Sequence, residues 1–156
     1  MNDTPDVVPA TNDKSRKVTW GSRFIPARAE AIFDVLANPA KHHLIDGSGS
    51  VVAARSGNPE RLSLGAKFGM DMKMGFPYKI SSTVSAFEEN RLIEWHHFGR
   101  HKWRYELEPV AGGTRVTESF NYGSSPASAL LVLAGYPERH RKSIDETLQR
   151  MADHFG

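Results

Sequence analysis

The sequence predicts an α+β fold in which a curved antiparallel sheet of about seven strands wraps around a long C-terminal helix. Three observations support this. Residues 51–122 form short alternating segments separated by tight turns, a pattern typical of antiparallel strands. One strand and two short helices are predicted before that stretch. After it, from Glu138 onward, apolar residues recur every three or four positions, as on one face of a helix.

The N-terminal part divides into a tail, a strand and two helices. Residues 1–15 are polar and contain proline, so we expect a disordered tail, with residues 16–156 forming a single domain. Residues 18–25 read as the first strand, which Pro26 ends because it has no N–H to donate. The spacing then predicts a helix over 27–37. Asn38 and Pro39 predict the N-cap and first residue of a second short helix.

The strand region has its clearest pattern in residues 67–76. Apolar residues alternate there with charged residues and glycine, which indicates a half-buried strand. That apolar face is Phe68, Met70, Met72, Met74 and Phe76. The three methionines form an adaptable surface for a flat or irregular apolar ligand, or they simply fill the core. The other strands are predicted at 51–55, 80–87, 91–98, 102–109 and 114–122.

The C-terminal segment predicts a long amphipathic helix after an apolar stretch that Gly135-Tyr136-Pro137 interrupts. This helix is the only element long enough to cover the concave face of the sheet. Because one helix rarely fills the space inside a wrapped sheet, we expect an internal cavity. The apolar stripe of the helix comprises His140, Ile144, Leu148, Met151 and Phe155.

Composition excludes several classes of protein. The 156 residues include no cysteine, which rules out disulfide scaffolds, zinc–cysteine sites and thiol nucleophiles. The net charge is only +2 and the basic residues are interleaved with acids, so we expect no nucleic-acid partner. No apolar run reaches the roughly 18–20 residues of a membrane helix, and the N-terminus lacks signal-peptide order. We therefore expect a cytoplasmic protein without integral membrane association.

Period two also selects the side chains that face the interior. Trp95 and His97 share a strand face with Ile93, and Trp103 and Tyr105 share the inward face of the next strand. On the last strand the inward face carries Val116, Glu118, Phe120 and Tyr122.

Glu118 is the strongest candidate for a functional acid or base, because burial raises the pKa of a carboxyl group. Alternatively it lies at the rim and pairs with a neighbouring Arg or Lys. His97 is either a titratable group inside the cavity or a strand-end histidine that reaches solvent.

The remaining histidines carry weaker signals. His42 and Asp46 are four residues apart in the second short helix, where they could gate a ligand at the cavity mouth or cap the following turn. His140 begins the apolar stripe of the last helix, either at the far end of the cavity or as an ordinary boundary residue. The pairs His42-His43 and His96-His97 are poor metal ligands, because neighbours on a strand point to opposite faces. We expect neither a metal nor a cofactor.

Five segments together resemble the START/Bet v 1-like (SRPBCC) superfamily, and within it the polyketide cyclase/dehydrase-like group. They are FIPA (24–27), NPAKHHLIDGSG (38–49), IEW (93–95), WRYELEP (103–109) and GTRVTESF (113–120). The resemblance covers residues 17–155 and implies a helix-grip fold with a hydrophobic cavity between the sheet and the last helix. It implies no single reaction, because a fold shared this widely locates a site without fixing its chemistry.

From the residues and the resemblance we expect a small hydrophobic or aromatic ligand, polyketide- or lipid-like, bound in the cavity by a carrier or sensor. The alternative is a cofactor-independent cyclase or dehydratase, with Glu118, His97 and Tyr105 as its acid/base set. A third possibility is an interaction module with a collapsed cavity, and a monomer or homodimer fits all three. The expected ligand-binding residues are Met70, Met72, Phe76, Trp95, Trp103, Phe120, Tyr122, His140, Leu148 and Met151.

Overall fold

The protein is built around one eight-stranded sheet in which every neighbouring pair of strands is antiparallel. The structure, a computed structural model, describes residues 5–47, 51–54, 57–73, 77–97 and 100–156. The strand order is β1-β2-β8-β7-β6-β5-β4-β3. The strands are β1 Val7–Asp13, β2 Val18–Ile25, β3 Val51–Ala54, β4 Lys67–Lys73, β5 Pro77–Glu88, β6 Leu92–His96, β7 Lys102–Val110 and β8 Gly113–Asn121. The helices are α1 Ala29–Leu36, a 3-10 helix Pro39–Leu44, α2 Ser128–Leu133 and α3 Tyr136–Phe155.

The architecture confirms the α+β helix-grip fold. The two short helices follow β2, and the long helix α3 packs against β2, β1 and β8. Buried residues of α3 facing the sheet include Ile144, Leu148 and Met151. Among the described residues, no helix is long and apolar enough to cross a bilayer.

The N-terminal segment corrects the expectation of a disordered tail over residues 1–15. Val7–Asp13 is an edge strand that pairs with β2. The register of this pairing shifts between Val8 and Thr11. Ala10 is buried where β2 carries Gly21, and a Cβ on Gly21 would meet the Ala10 backbone at 3.0 Å. The Ala10 amide also donates a 2.7 Å hydrogen bond to Asp145 Oδ1 on α3. β1 is held by backbone pairing with β2 and by the burial of one small residue, Ala10. A strand held in this way needs no alternating apolar side chains, so its sequence shows no strand pattern.

The two short helices begin and end near the predicted positions. Asn38 is the N-cap of the 3-10 helix, where its side chain accepts a hydrogen bond from the Ala40 amide at 3.0 Å, and Pro39 follows as the first residue. This confirms the sequence signal at Asn38-Pro39. In β4, Phe68 and Met70 are buried and Met72 is half-buried, as the alternating pattern predicts. Met74 and Phe76 lie outside the described residues.

Two residues, Ala134 and Gly135, separate α2 from α3. Gly135 has φ of 78°, a left-handed conformation that side chains other than glycine rarely adopt, so the helix is interrupted there. The long helix then restarts at Tyr136, two residues before the predicted Glu138, because Pro137 is well tolerated in a first turn. The apolar segment before Gly135 therefore forms a separate helix of six residues.

Adding a charge to β1 tests its place in the fold. Ala10→Glu is expected to lower the free energy of unfolding by about 2 kcal/mol, because the carboxylate would be buried against β2. The exposed neighbour Thr11→Glu is the matched control and is expected to change stability by less than about 0.5 kcal/mol. Chemical denaturation measures both, and equal effects would contradict an ordered β1.

Candidate functional site

A buried acid faces the interior from the middle of the sheet. Every second side chain of β8, from Thr114 to Phe120, is buried, and Glu118 lies in that row with 2% of its surface exposed. The strand register places Glu118 directly opposite Tyr105 of β7, which is also buried. The sequence argument correctly placed Glu118 inside, and the alternative of a rim position does not hold.

The environment of Glu118 favours its neutral form. Burial raises the pKa of the carboxyl well above its usual value, and the nearby charges of Asp46 and Asp145 raise it further. The hydrogen bond with Tyr105 lowers the pKa, and its effect is smaller than that of burial but larger than that of either aspartate charge. Burial and Glu118 likewise raise the pKa of the Tyr105 hydroxyl. Both groups therefore favour keeping their protons at neutral pH.

One carboxyl oxygen of Glu118 has no protein partner. Its Oε1 atom is buried and makes no hydrogen bond within the part of the chain that the structure describes. A buried polar atom without a partner costs about 1–3 kcal/mol, so such atoms are uncommon and point to a function or a bound molecule. A neutral carboxyl group in this position can donate one hydrogen bond into the interior.

Contacts of α3 with the 3-10 helix and the residues after it fix the position of Asp46 near Glu118. The next residue, Gly47, donates its amide to Thr147 Oγ1 at 2.9 Å, and the space beside it admits no side chain because a Cβ would collide with the α3 backbone. Arg150 donates to the carbonyl oxygens of His43 and Leu44 at 3.3 and 3.4 Å. These contacts explain how a residue far from β8 in sequence influences the pKa of Glu118.

His42 lies in the core, which corrects its expected position at a cavity mouth. Its Nε2 atom is 2.7 Å from the Leu36 carbonyl oxygen, so Nε2 carries the proton and the ring caps the end of α1. The ring stacks on Trp95 at a centroid distance of 5.2 Å and meets Phe68 edge-on at 5.6 Å. Burial lowers its pKa, which keeps the imidazole neutral.

Three histidines gather at the end of the sheet near the start of α3. We call His97, His101 and His140 the histidine cluster. His97 and His101 rings lie 5.3 Å apart, while His101 and His140 both contact the Phe120 ring, at 5.4 and 4.3 Å. The Ser82 hydroxyl is 2.8 Å from His97 Nδ1, so His97 is tied to β5 as well.

The histidine cluster is held neutral by burial and by mutual repulsion. Burial, together with charge on the neighbouring histidines, lowers the pKa of His97 to about 4 and that of His140 to about 3. The pKa of His101 is lowered for the same reasons. Within the described ranges, no group of three or more His, Cys, Asp or Glu side chains is placed to hold a metal ion.

The proposed catalytic set is only partly assembled. The structure joins Glu118 to Tyr105, but the contacts of His97 are with Ser82 and His101. His101 comes four residues before Tyr105, which is about 13 Å of extended chain. Trp103 and Phe120 lie between the Glu118–Tyr105 pair and the histidine cluster. They are opposite one another, with ring centroids 5.0 Å apart.

The expected ligand-binding residues occupy different depths of the same interior. Tyr122, the residue after β8, is buried, and its hydroxyl donates to Asn12 Oδ1 at 2.7 Å, so it ties the end of β8 to β1. Trp95 and Trp103 are half-buried against the core, and His140 contacts Trp103 at 4.8 Å. Fully buried members are Met70, Phe120, Leu148 and Met151. Phe76 lies outside the described residues.

Sequence reasoning missed two members of these groups. His101 is two residues before Trp103, so the same period-two rule that placed Trp103 and Tyr105 inside would have included it. Asp145 follows Ile144 on α3, where it accepts the Ala10 amide and contributes charge near Glu118. No local pattern marks Asp145, because its partners lie on two distant strands.

An open depression of about 400 Å³ lies elsewhere on the surface, between the start of α1 and the turn joining β7 to β8. It is lined by residues 26–30, Pro109, Val110, Gly112 and Gly113 and contains none of the candidate site residues. The internal cavity expected from the sequence therefore stays a prediction.

An antiparallel sheet wrapped around a long C-terminal helix defines the helix-grip class of proteins. Within this class, the chain belongs to the family described as polyketide cyclase / dehydrase and lipid transport, whose model matches residues 7–156. This confirms the resemblance to the START/Bet v 1-like superfamily.

The chain is also similar to individual proteins. It is 36% identical over 141 residues to protein Rv0088 of Mycobacterium tuberculosis, a match covering 85% of this chain and 61% of that protein. The chain thus spans about three-fifths of the length of the curated relatives it matches.

Solved structures show the same fold. A protein from Arthrobacter aurescens aligns with a TM-score of 0.72 at 16% identity, covering 94% of this chain and 92% of that one. The Polyketide_cyc-like protein Cgl2372 of Corynebacterium glutamicum aligns with a TM-score of 0.60 at 21% identity, covering 86% and 88%.

Replacing Glu118 by glutamine tests the protonation state of the buried acid. Folded Glu118 keeps its proton while the unfolded chain ionises above about pH 4.5, so this residue lowers stability as pH rises. Glu118→Gln is therefore expected to raise Tm at pH 8 by at least about 3 °C and to match the wild type at pH 4.5. Scanning calorimetry at both pH values measures this. Exposed Glu108→Gln is the control, and a loss of stability at pH 8 would indicate an ionised, paired Glu118.

The histidine cluster predicts the opposite pH dependence. Because folded His140 binds its proton only near pH 3, it is stabilising above the unfolded pKa of 6.5, and this stability is lost as pH falls. His140→Phe, which keeps an aromatic ring beside Trp103 and Phe120, is expected to remove about 2 kcal/mol of the stability difference between pH 7 and 4.5. Urea denaturation measures it, with exposed His154→Gln as control. An unchanged pH dependence would contradict a neutral His140.

Proposed function

We propose that this protein binds a small, neutral hydrophobic or aromatic molecule between the sheet and α3, as a carrier or sensor. The single observation that carries the proposal is the buried Glu118, with Oε1 unpartnered among the described residues and Tyr105 beside it. In a core without a ligand, an unpartnered carboxyl group only lowers stability. A ligand that accepts a hydrogen bond from the carboxyl group would supply the missing partner.

The surroundings of Glu118 support a ligand with an apolar body. Trp103 and Phe120 are the next inward-facing residues beside Tyr105 on β7 and Glu118 on β8. Met151 and Leu148 of α3 are buried in the same core. Aromatic and thioether side chains suit flat or irregular apolar molecules, because they offer large polarizable contact areas.

The charge state of the interior supports a neutral ligand. Asp46 and Asp145 already place negative charge near Glu118, and the histidine cluster is uncharged at neutral pH. A ligand carboxylate would meet repulsion here, whereas a ketone or ester oxygen accepts a hydrogen bond from protonated Glu118 without that cost. Polyketide-like molecules and lipid esters both carry such oxygens.

A cyclase or dehydratase is the second candidate, favoured by the protonated carboxyl group itself. An acid kept neutral by burial can donate its proton to a ligand carbonyl oxygen while an enol carbon of the same poly-β-ketone attacks that carbonyl carbon. Tyr105 can stabilise the resulting carboxylate by donating a hydrogen bond, and the carboxylate then takes up the enol O–H proton, which regenerates the acid. His97 has no part in this version, since its contacts are with the histidine cluster.

Matched probes test the binding proposal. 2-Acetylnaphthalene and 2-naphthoate share one aromatic body and differ in their neutral and charged oxygens. We expect saturable quenching of tryptophan fluorescence by the ketone and at least about tenfold weaker binding of the carboxylate at pH 7. Glu118→Leu is expected to weaken ketone binding about five- to tenfold, the size of one buried hydrogen bond. Exposed Glu108→Gln is the control.

Three outcomes separate the candidates. Native mass spectrometry that finds an apolar molecule retained and chemically unaltered supports the carrier. Turnover of a poly-β-ketone that Glu118→Gln abolishes supports the enzyme. Folded protein that binds neither probe and retains no molecule contradicts both, and indicates an interaction module with a filled core.

A further inference from the structure

The short helix α2 exposes an apolar surface that the fold does not use. None of its six residues is buried, and Leu130, Val132 and Leu133 have 67%, 52% and 84% of their surfaces exposed. We call these three residues the apolar tip. Of the four leucine and valine side chains next to one another in α2, only Leu131 packs against the core. Adjacent large apolar side chains exposed in this way mark an interaction surface.

Basic residues flank the apolar tip on the neighbouring parts of the chain. Residues 123–137 contain no ionisable acid, base or histidine, although Tyr136 lies within them. The Lys17 amine is 3.5 Å from Ser128 Oγ at the start of α2. On α3, the Arg139 guanidinium lies 5.1 Å from the Tyr136 ring, and Lys142 is exposed less than one turn further.

The nearest acid on α3 does not balance these cations. Glu138 is ion-paired with Arg141 at 2.7 Å, so that pair is neutral as a unit. Asp145, one turn beyond Arg141, accepts the amide of Ala10. The exposed cations beside the tip therefore exceed the unpaired acids there, although the whole chain has a net charge of only +2.

We propose that the apolar tip of α2 docks onto the surface of an anionic lipid bilayer. An apolar helix flanked by Lys and Arg is the arrangement that inserts side chains among acyl chains while cations contact acidic headgroups. A second protein copy is a poorer fit. A six-residue helix is only about 9 Å long, which is small against the roughly 1,000 Å² that a stable protein interface buries. This inference does not depend on a ligand in the interior.

The location of α2 gives docking a consequence. Only Ala134 and Gly135 connect it to α3, whose first residue Tyr136 has its ring 5.7 Å from the His140 ring of the histidine cluster. A bilayer contacting α2 is thus next to the end of the sheet where Phe120 and His101 lie. Membrane contact and exchange of an apolar molecule would share this end of the protein.

Vesicle sedimentation with the full chain tests the proposal. We expect binding to vesicles of phosphatidylcholine with a quarter phosphatidylglycerol, at least about tenfold weaker binding to phosphatidylcholine alone, and loss of binding in 0.5 M NaCl. Leu130→Ser with Leu133→Ser is expected to weaken binding to the anionic vesicles at least about tenfold. Leu64→Ser is the matched control, because Leu64 is 68% exposed but precedes β4, and it is expected to bind within twofold of the wild type.

A second pair of variants tests the role of the cations. Arg139→Gln with Lys142→Gln is expected to weaken binding to anionic vesicles about five- to tenfold, whereas Lys67→Gln with Lys79→Gln, two exposed lysines on β4 and β5, is expected to have little effect. Circular dichroism and thermal melting establish that each variant is folded, which the exposure of the altered residues favours.

Three results would overturn the proposal. The first is a wild-type protein that stays in solution at millimolar anionic lipid. The second is binding that the Leu130 and Leu133 substitutions leave unchanged. The third is a wild-type dimer that the same substitutions convert to a monomer, without vesicle binding in either form, which would make a second copy the occupant of the tip.

Discussion

The register between β7 and β8 is the constraint on which the interior depends. It sets Tyr105 against Glu118 and Trp103 against Phe120, and turns all four side chains toward α3. A slip of one residue between the strands would turn the side chains of one of them to the outer face and bring Arg104 or Ser119 inside, so burial of the inward row holds the pairing firmly. The outer face has its own network, in which Arg104 of β7 and Ser85 of β5 donate to Glu94 of β6, and this network reinforces the pairing of β5, β6 and β7.

The interior reaches electrical neutrality by two opposite routes. On β8, burial and nearby negative charge hold a carboxyl group in its protonated form. At the α3 end, burial and mutual repulsion hold imidazoles in their unprotonated form. Both effects have one cause, which is the cost of placing charge among apolar and aromatic side chains. The outcome is an interior that holds hydrogen-bonding groups without fixed charge on Glu118 or the histidines, separated by Trp103 and Phe120.

The helix α3 connects these groups with the rest of the molecule. It anchors β1 through Asp145, receives the 3-10 helix through Thr147 and Arg150, and brings His140 against the sheet. Its start is fixed by Gly135, which leaves α2 projecting as a separate apolar element. The surface that we assign to lipid and the interior that we assign to an apolar ligand are therefore neighbours along one continuous part of the chain.

Much of this organisation follows from sequence alone. Alternation placed Trp103, Tyr105, Glu118 and Phe120 on inward faces, and Asn38-Pro39 marked the start of the 3-10 helix, because such patterns depend on backbone geometry that neighbouring residues share. The helix-grip fold follows from the predicted order of strands and helices, and the family from the resemblance of five sequence segments.

Only the tertiary structure decided the contacts between distant segments. Val7–Asp13 became a strand because β2 offers a free edge and α3 offers Asp145, and neither is visible in a polar tail. His42 entered the core because Trp95, Phe68 and the Leu36 carbonyl surround it. His97 joined His101 and His140 rather than Glu118 because several strands and a helix converge there. Periodicity fixes the direction in which a side chain points, whereas its neighbours depend on the packing of the whole chain.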